Sequence, residues 1–85
     1  MTKMRPIPYA EMRAFLKRLG LIEKRTPNAF VFFHPTEGLV AFPFYRDDEP
    51  VAMNDVASTR RFLDYRGILD ADDFEATLLR VDTPA

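Results

Sequence analysis

His34 is the only histidine of the sequence, and so the one side chain whose ordinary pKa lies near neutrality, where a group can both take and give a proton. It closes the run Ala29 to His34, in which five of six residues are apolar, so general acid–base chemistry competes with a role at the end of a buried strand. Five cations in the first third of the chain, Arg13, Lys17, Arg18, Lys24 and Arg25, are the candidates for contact with an anion such as RNA phosphate. The acids Asp47, Asp48 and Glu49, and Asp70, Asp72 and Asp73, have the chemistry of metal ligands. Neither set has the glycine and bidentate glutamate spacing of a calcium loop, and the second reads as helix capping, so no metal is assigned. Ser58 has no histidine or acid at a recognisable triad spacing. The three glycines fall at turns or helix ends rather than in a phosphate-cradling loop, and no cofactor is expected.

With 85 residues the chain makes a single domain, too small to enclose a cleft between lobes. It has no cysteine, which excludes disulfides and thiolate zinc sites. The N-terminus lacks the pattern of a secretory signal and no apolar stretch approaches membrane-spanning length, so a soluble cytoplasmic protein is the expectation. The net charge of −1 conceals a division at Arg46: eight bases against three acids up to that residue, four bases against ten acids after it. Such asymmetry permits a basic face toward an anionic partner, while a pI near 5.7 argues against strong nonspecific nucleic-acid binding.

Punctuation divides the chain into elements. After Pro6 and Pro8, residues Tyr9, Met12, Phe15, Leu16 and Leu19 recur at helical spacing, and Gly20 is placed to stop the helix. Three extended segments follow: Leu21 to Thr26, Ala29 to His34, and Leu39 to Tyr45. A turn at Pro27-Asn28 is expected to use the tolerance of asparagine for a left-handed backbone, and Pro35-Thr36-Glu37-Gly38 makes the second turn. Pro43 suits an edge strand because it has no N–H to donate. A second helix carries Val56, Thr59, Phe62 and Leu63 after a cap at Asn54 or Asp55, and ends at Gly67. A third starts at Asp70 and buries Phe74, Leu78 and Val81. The fold class is α+β in the order α-β-β-β-α-α, with helices on one side of a three-stranded antiparallel sheet and a core spanning about residues 9 to 81.

Both faces of that sheet are apolar. Phe30, Phe32 and His34 alternate with Ala29, Val31 and Phe33, and Val40, Phe42 and Phe44 with Leu39, Ala41, Pro43 and Tyr45. One helical layer covers one face, so the other must meet the 46 to 54 loop, the C-terminal tail, a partner or a second copy. Phe30, Phe32, Phe33, Phe42 and Phe44 are the partner-face candidates. No basic residue is interleaved in the second and third strands, which makes base stacking there a minor option.

The element order resembles the HicA family of small toxins, whose fold is like that of double-stranded-RNA-binding domains. The resemblance rests on Leu16-Lys17-Arg18-Leu19-Gly20-Leu21, His34-Pro35 before a glycine turn, Val40-Ala41-Phe42-Pro43-Phe44, and the helical ending from Arg60 to Leu69 followed by Asp72-Asp73-Phe74. It covers about residues 9 to 78. It implies an RNA-cleaving domain whose catalytic histidine follows a Gly-Ser or Gly-Gly pair, with a HicB-type antitoxin over the site. Counted back from His34-Pro35, that motif falls on Pro27-Asn28-Ala29, so the catalytic position holds alanine. His34 is five residues away, which in a strand means the opposite face and a distance of about 16 Å.

Three functions follow. The first is a HicA-like RNA-binding module without ribonuclease chemistry. The second is an interaction or regulatory module using an apolar sheet face, as a homodimer or with a HicB-like partner. The third is an active mRNA-cleaving toxin that uses His34 or another set. An enzyme, if present, would be a ribonuclease; a membrane partner is not expected.

Overall fold

Helix α1 (Tyr9–Arg18) begins where Pro8 ends an extended approach, and its buried residues Tyr9, Met12, Phe15 and Leu16 form the expected stripe. In the computed structural model, which describes residues 5–79, β1 (Ile22–Arg25), β2 (Phe30–His34) and β3 (Gly38–Phe42) follow. After them come α2 (Met53–Tyr65) and α3 (Ala71–Phe74), the last running on as a π-helical turn over Glu75–Leu79. The assignment of Val81 to the third helix's buried side, and the charges of Lys3 and Arg80, lie outside the described residues.

The sheet is antiparallel in the order β1-β2-β3. Its register sets four cross-strand rows. Glu23–Phe32–Val40 and Arg25–Phe30–Phe42 face the helices; Ile22–Phe33–Leu39 and Lys24–Val31–Ala41 face away. Phe32 and Phe42 are fully buried beneath α1 and α2, with Leu16, Leu63, Phe74 and Leu78 in the same core. They therefore do not belong to the partner face to which their alternation assigned them. Phe30 also packs against that core, and only Phe33 of the strand phenylalanines points to the open side. The helical layer was free to sit on either face, and alternation alone does not say which.

Strand β3 ends at Phe42 rather than at Tyr45. Pro43 offers no N–H to continue the ladder, so past it the alternation lapses. Tyr45 turns inward and stacks on Tyr9 at 5.7 Å between ring centroids, while Phe44 meets the edge of Phe30 at 5.0 Å. The loop after it does not cover the open face. It folds to the other side, where the carbonyls of Glu49 and Asp47 accept the N–H groups of Tyr9 and Ala10 at 2.9 and 3.0 Å. A helix preceded by proline has no capping side chain, and these carbonyls satisfy its orphan donors.

Helix ends follow the sequence more closely than helix starts. Gly20 and Gly67 adopt φ of +94° and +71°, which lets Leu21 N–H reach Leu16 O at 3.1 Å and Ile68 N–H reach Leu63 O at 2.9 Å. Helix α2 is instead entered at Ala52, with no side-chain cap from Asn54 or Asp55. The Tyr45 hydroxyl explains the change: it accepts the Ala52 N–H at 3.0 Å and donates to the Asp55 carboxylate, drawing that side chain away from a capping role. Thr59, the one buried polar residue among those described, donates its hydroxyl to Asp55 O at 2.7 Å. Asp70 caps α3 as its position implies, accepting the Asp72 N–H at 2.8 Å.

Tyr9 is fully buried, and its phenol pKa is pushed up, first by burial and then by the Glu23 carboxylate. The neutral phenol is thus the form the fold holds. A raised folded value contributes stability that is complete below the ordinary tyrosine value of 10.0 and is lost as pH rises toward the folded one. Urea midpoints measured against pH should fall above about pH 10 in the wild type and fall less steeply in Tyr9→Phe. Parallel curves would show that the phenol carries no such linkage.

Candidate nucleic-acid interface

The turn that leads into Ala29, the position matching the resembled family's catalytic histidine, is built by Thr26. Its hydroxyl accepts the Ala29 N–H at 3.0 Å and the Asn28 N–H at 3.3 Å, and donates to Ala29 O at 3.0 Å. Thr26 N–H also reaches Ala29 O, at 2.8 Å. No residue other than glycine has positive φ among the described residues, so Asn28 does not adopt the left-handed backbone expected of it. The threonine side chain bridges the turn, and the backbone does not have to strain. Ala29 is thereby fixed immediately before β2, which begins at Phe30 rather than at Ala29, and carries no proton-transfer group.

His34 lies at the far end of the same strand, paired with Gly38. Its Nδ1 accepts the Thr36 N–H at 3.2 Å, with the Thr36 hydroxyl 3.3 Å away. In the neutral ring this puts the proton on Nε2, which leaves no lone pair free to accept one from a substrate. The side chain closes the β2–β3 turn.

The five cations do not form one surface. Arg13 lies over the Tyr9 ring at 5.7 Å and pairs with Asp47 at 3.3 Å. Lys17 pairs with Glu23 at 3.1 Å. Lys24 and Arg25, adjacent in sequence, leave opposite faces of β1, Lys24 toward the open side. Arg18, at the end of α1, and Lys24 form no ion pair among the described residues. Arg25 has a specific environment: its guanidinium lies 5.8 Å from the Phe30 ring centre and 5.1 Å from that of Phe44. Phe30 in turn stacks on Tyr9 at 5.2 Å. The result is an edge of the domain on which Arg25 lies over the half-buried Phe30 and an exposed Phe44, with the buried Tyr9 behind Phe30.

The sequence did not display this arrangement, because β2 and β3 carry no cation of their own. The charge comes from the neighbouring strand through the Arg25–Phe30–Phe42 row. A second cation–aromatic group, on α2, was also hidden: Ser58, Arg61, Phe62, Tyr65 and Arg66 line a shallow cavity of about 310 Å³. Its signal is the spacing 58, 61, 62, 65 along one helical face, masked because those residues fall in the acidic half of the chain.

The chain matches no family model, no curated protein and no solved structure. What can be said of the site therefore rests on its own chemistry. An exposed ring beside a guanidinium is suited to stack an unpaired base and hold the adjoining phosphate. Among the described residues no three His, Asp or Glu side chains converge on a point that would hold a metal ion. No helix among them is long and apolar enough to cross a membrane.

Replacing Thr26 with valine removes the hydroxyl while keeping its shape. The expected cost is about 1 kcal/mol, because the part-buried Ala29 N–H is left without its acceptor, while the exposed Asn28 N–H can turn to water. Chemical denaturation measures it, and a midpoint equal to the wild type would assign the turn to the backbone alone.

Proposed function

We propose that this chain is a HicA-like module that binds single-stranded RNA and has no ribonuclease chemistry. The observation that carries the reading is the Arg25 guanidinium held over Phe30 and Phe44 at the sheet's edge. Phe44 is 45% exposed, so a base has a ring to stack on, and Arg25 has no carboxylate partner among the described residues to displace before it meets a phosphate. Two further observations support the absence of cleavage. The position matching the family's catalytic histidine is Ala29, and His34 engages its free nitrogen lone pair within its own turn.

The affinity of a short labelled single-stranded RNA, followed by fluorescence anisotropy, tests this. Phe44→Ala should weaken binding by roughly fivefold or more, since stacking contributes about 1–3 kcal/mol per base. Arg25→Glu should weaken it similarly and reduce the steepness of the salt dependence by about 0.7 for each phosphate that the guanidinium neutralises. Lys24→Glu, on the opposite face, should do less. Absence of binding at low salt refutes the reading, and RNA cleavage by the wild type refutes its non-catalytic part.

A second reading is favoured by the open sheet face. Its Ile22–Phe33–Leu39 row is entirely apolar, with Ile22 49% and Leu39 60% exposed, and Lys24 is the single charge in the two outward-facing rows. A second copy of the chain would meet this face without opposing charges in the middle. Sedimentation velocity should then show a concentration-dependent dimer that Leu39→Glu abolishes. A wild type that remains monomeric at high concentration removes this reading.

A further inference from the structure

We propose that the cavity on α2 binds a nucleoside monophosphate, with the phosphate between Arg61 and Arg66 and the base on Tyr65. This goes beyond RNA binding at the Arg25 edge and does not depend on it. Ser58, Arg61, Phe62 and Tyr65 form one stripe of α2, and Arg66, the residue that ends the helix, adjoins them, so five side chains close in sequence line one opening. The depression has a volume of about 310 Å³ and is open to solvent, so it can seat one side of a small ligand while the rest stays exposed.

The lining selects the ligand class. It holds two guanidiniums and no carboxylate, so it attracts an anion. The contrast with Arg60 is instructive: one residue earlier on the same helix, that guanidinium is paired with Glu75, whereas Arg61 and Arg66 form no ion pair among the described residues. Guanidiniums pair with phosphate through two parallel N–H donors, which makes a phosphorylated ligand a better fit than a neutral one. Tyr65 is 82% exposed, so its ring is accessible to a ligand, and the Arg66 guanidinium already lies 5.6 Å from its ring centre. A planar base can occupy the remaining face of that ring, with the Ser58 hydroxyl as a hydrogen-bond partner.

The floor is fixed by the sheet. A Cβ at Gly38 would stand 3.5 Å from Phe62 Cε1 and 4.0 Å from Arg66 Nη2, so the β2–β3 turn passes directly against this stripe. Gly38 has φ of +111°, a conformation that a side chain would strain, so the turn keeps its glycine for its backbone. The nucleotide has two sources with the same chemistry, a free molecule or the phosphorylated end of an RNA chain.

Amide chemical shifts of the full chain, titrated with AMP, adenosine and inorganic phosphate, provide the test. AMP should perturb residues 58 to 66, with adenosine and phosphate each binding about tenfold or more weakly. Arg61→Ala, Arg66→Ala and Tyr65→Ala should each weaken AMP by about tenfold while leaving the fold intact, since all three are exposed. Arg25→Glu should leave AMP binding unchanged, which separates this site from the RNA edge. A 5′-phosphorylated oligonucleotide that binds more tightly than its 5′-hydroxyl form, with the difference abolished in Arg66→Ala, identifies the RNA end as the source. Equal binding of the two oligonucleotides alongside AMP binding identifies the free nucleotide. No response to AMP at millimolar concentration, or a response equal to that of inorganic phosphate or unaltered by Arg61→Ala and Arg66→Ala, overturns the proposal.

Discussion

The seating of Tyr9 is the constraint on which most of this structure depends. Its ring stacks on Phe30 and Tyr45 and meets Phe32 and Phe42 edge-on, so one side chain of α1 touches β2, β3 and the segment after β3. Its backbone N–H is held by Glu49 O. The same residue thus sets the angle of the first helix, closes the core at one end of the sheet and draws the loop of residues 46 to 50 toward the helix. Tyr45, brought beside it, then determines where α2 starts by binding Ala52 and Asp55. Arg25 finds rings to lie over because Tyr9 holds Phe30 and because Phe44 follows the proline that ends β3. The candidate RNA edge is a by-product of aromatic packing at one corner.

The element order was legible because it is written in local chemistry. Helical spacing from Tyr9 to Leu19, alternation in Phe30 to His34 and the glycines at 20 and 67 each act within a few residues. What was not legible depends on contacts distant in sequence. Asn54 and Asp55 are good capping residues by type, and nothing nearby announces that Tyr45 will claim the carboxylate. Asn28 tolerates a left-handed backbone, yet the Thr26 hydroxyl makes it unnecessary. Phe32 and Phe42 were assigned to a partner face because a sheet apolar on both sides carries no mark of which side the helices take.

The site was less legible than the fold for a related reason. A cation–ring contact between strands depends on register, and register is a property of pairs. Arg25 and Phe30 lie on different strands with the Thr26 turn between them, a separation in sequence that says nothing of their meeting. Antiparallel pairing through that turn makes them neighbours in one row. By the same logic Ala29, just before β2, and His34, its last residue, are separated by the length of the strand and cannot act on one phosphodiester. A catalytic pair would need a second group beside either of them, and Ala29 has only its backbone there.

Charge divides differently in space than in sequence. The first half holds the surplus of bases, but four of them are paired locally: Arg5 with Glu11, Lys17 with Glu23, Arg46 with Asp48, and Arg13 with Asp47, which arrives from the acidic half on the loop that Tyr9 anchors. The acidic half in turn leaves Arg61 and Arg66 without carboxylate partners among the described residues, while Arg60 takes Glu75. A single basic face, which the division at Arg46 would suggest, therefore does not form. Its place is taken by two small cation–aromatic surfaces, one on the sheet's edge and one on α2, each too limited to hold a polyanion by charge alone. Screening over about 8–10 Å at physiological salt weakens long-range attraction for such isolated groups. If either surface binds as proposed, its affinity would have to come from stacking on Phe44 or Tyr65, with the guanidinium fixing the phosphate, and discrimination would rest on an accessible base rather than on the density of negative charge.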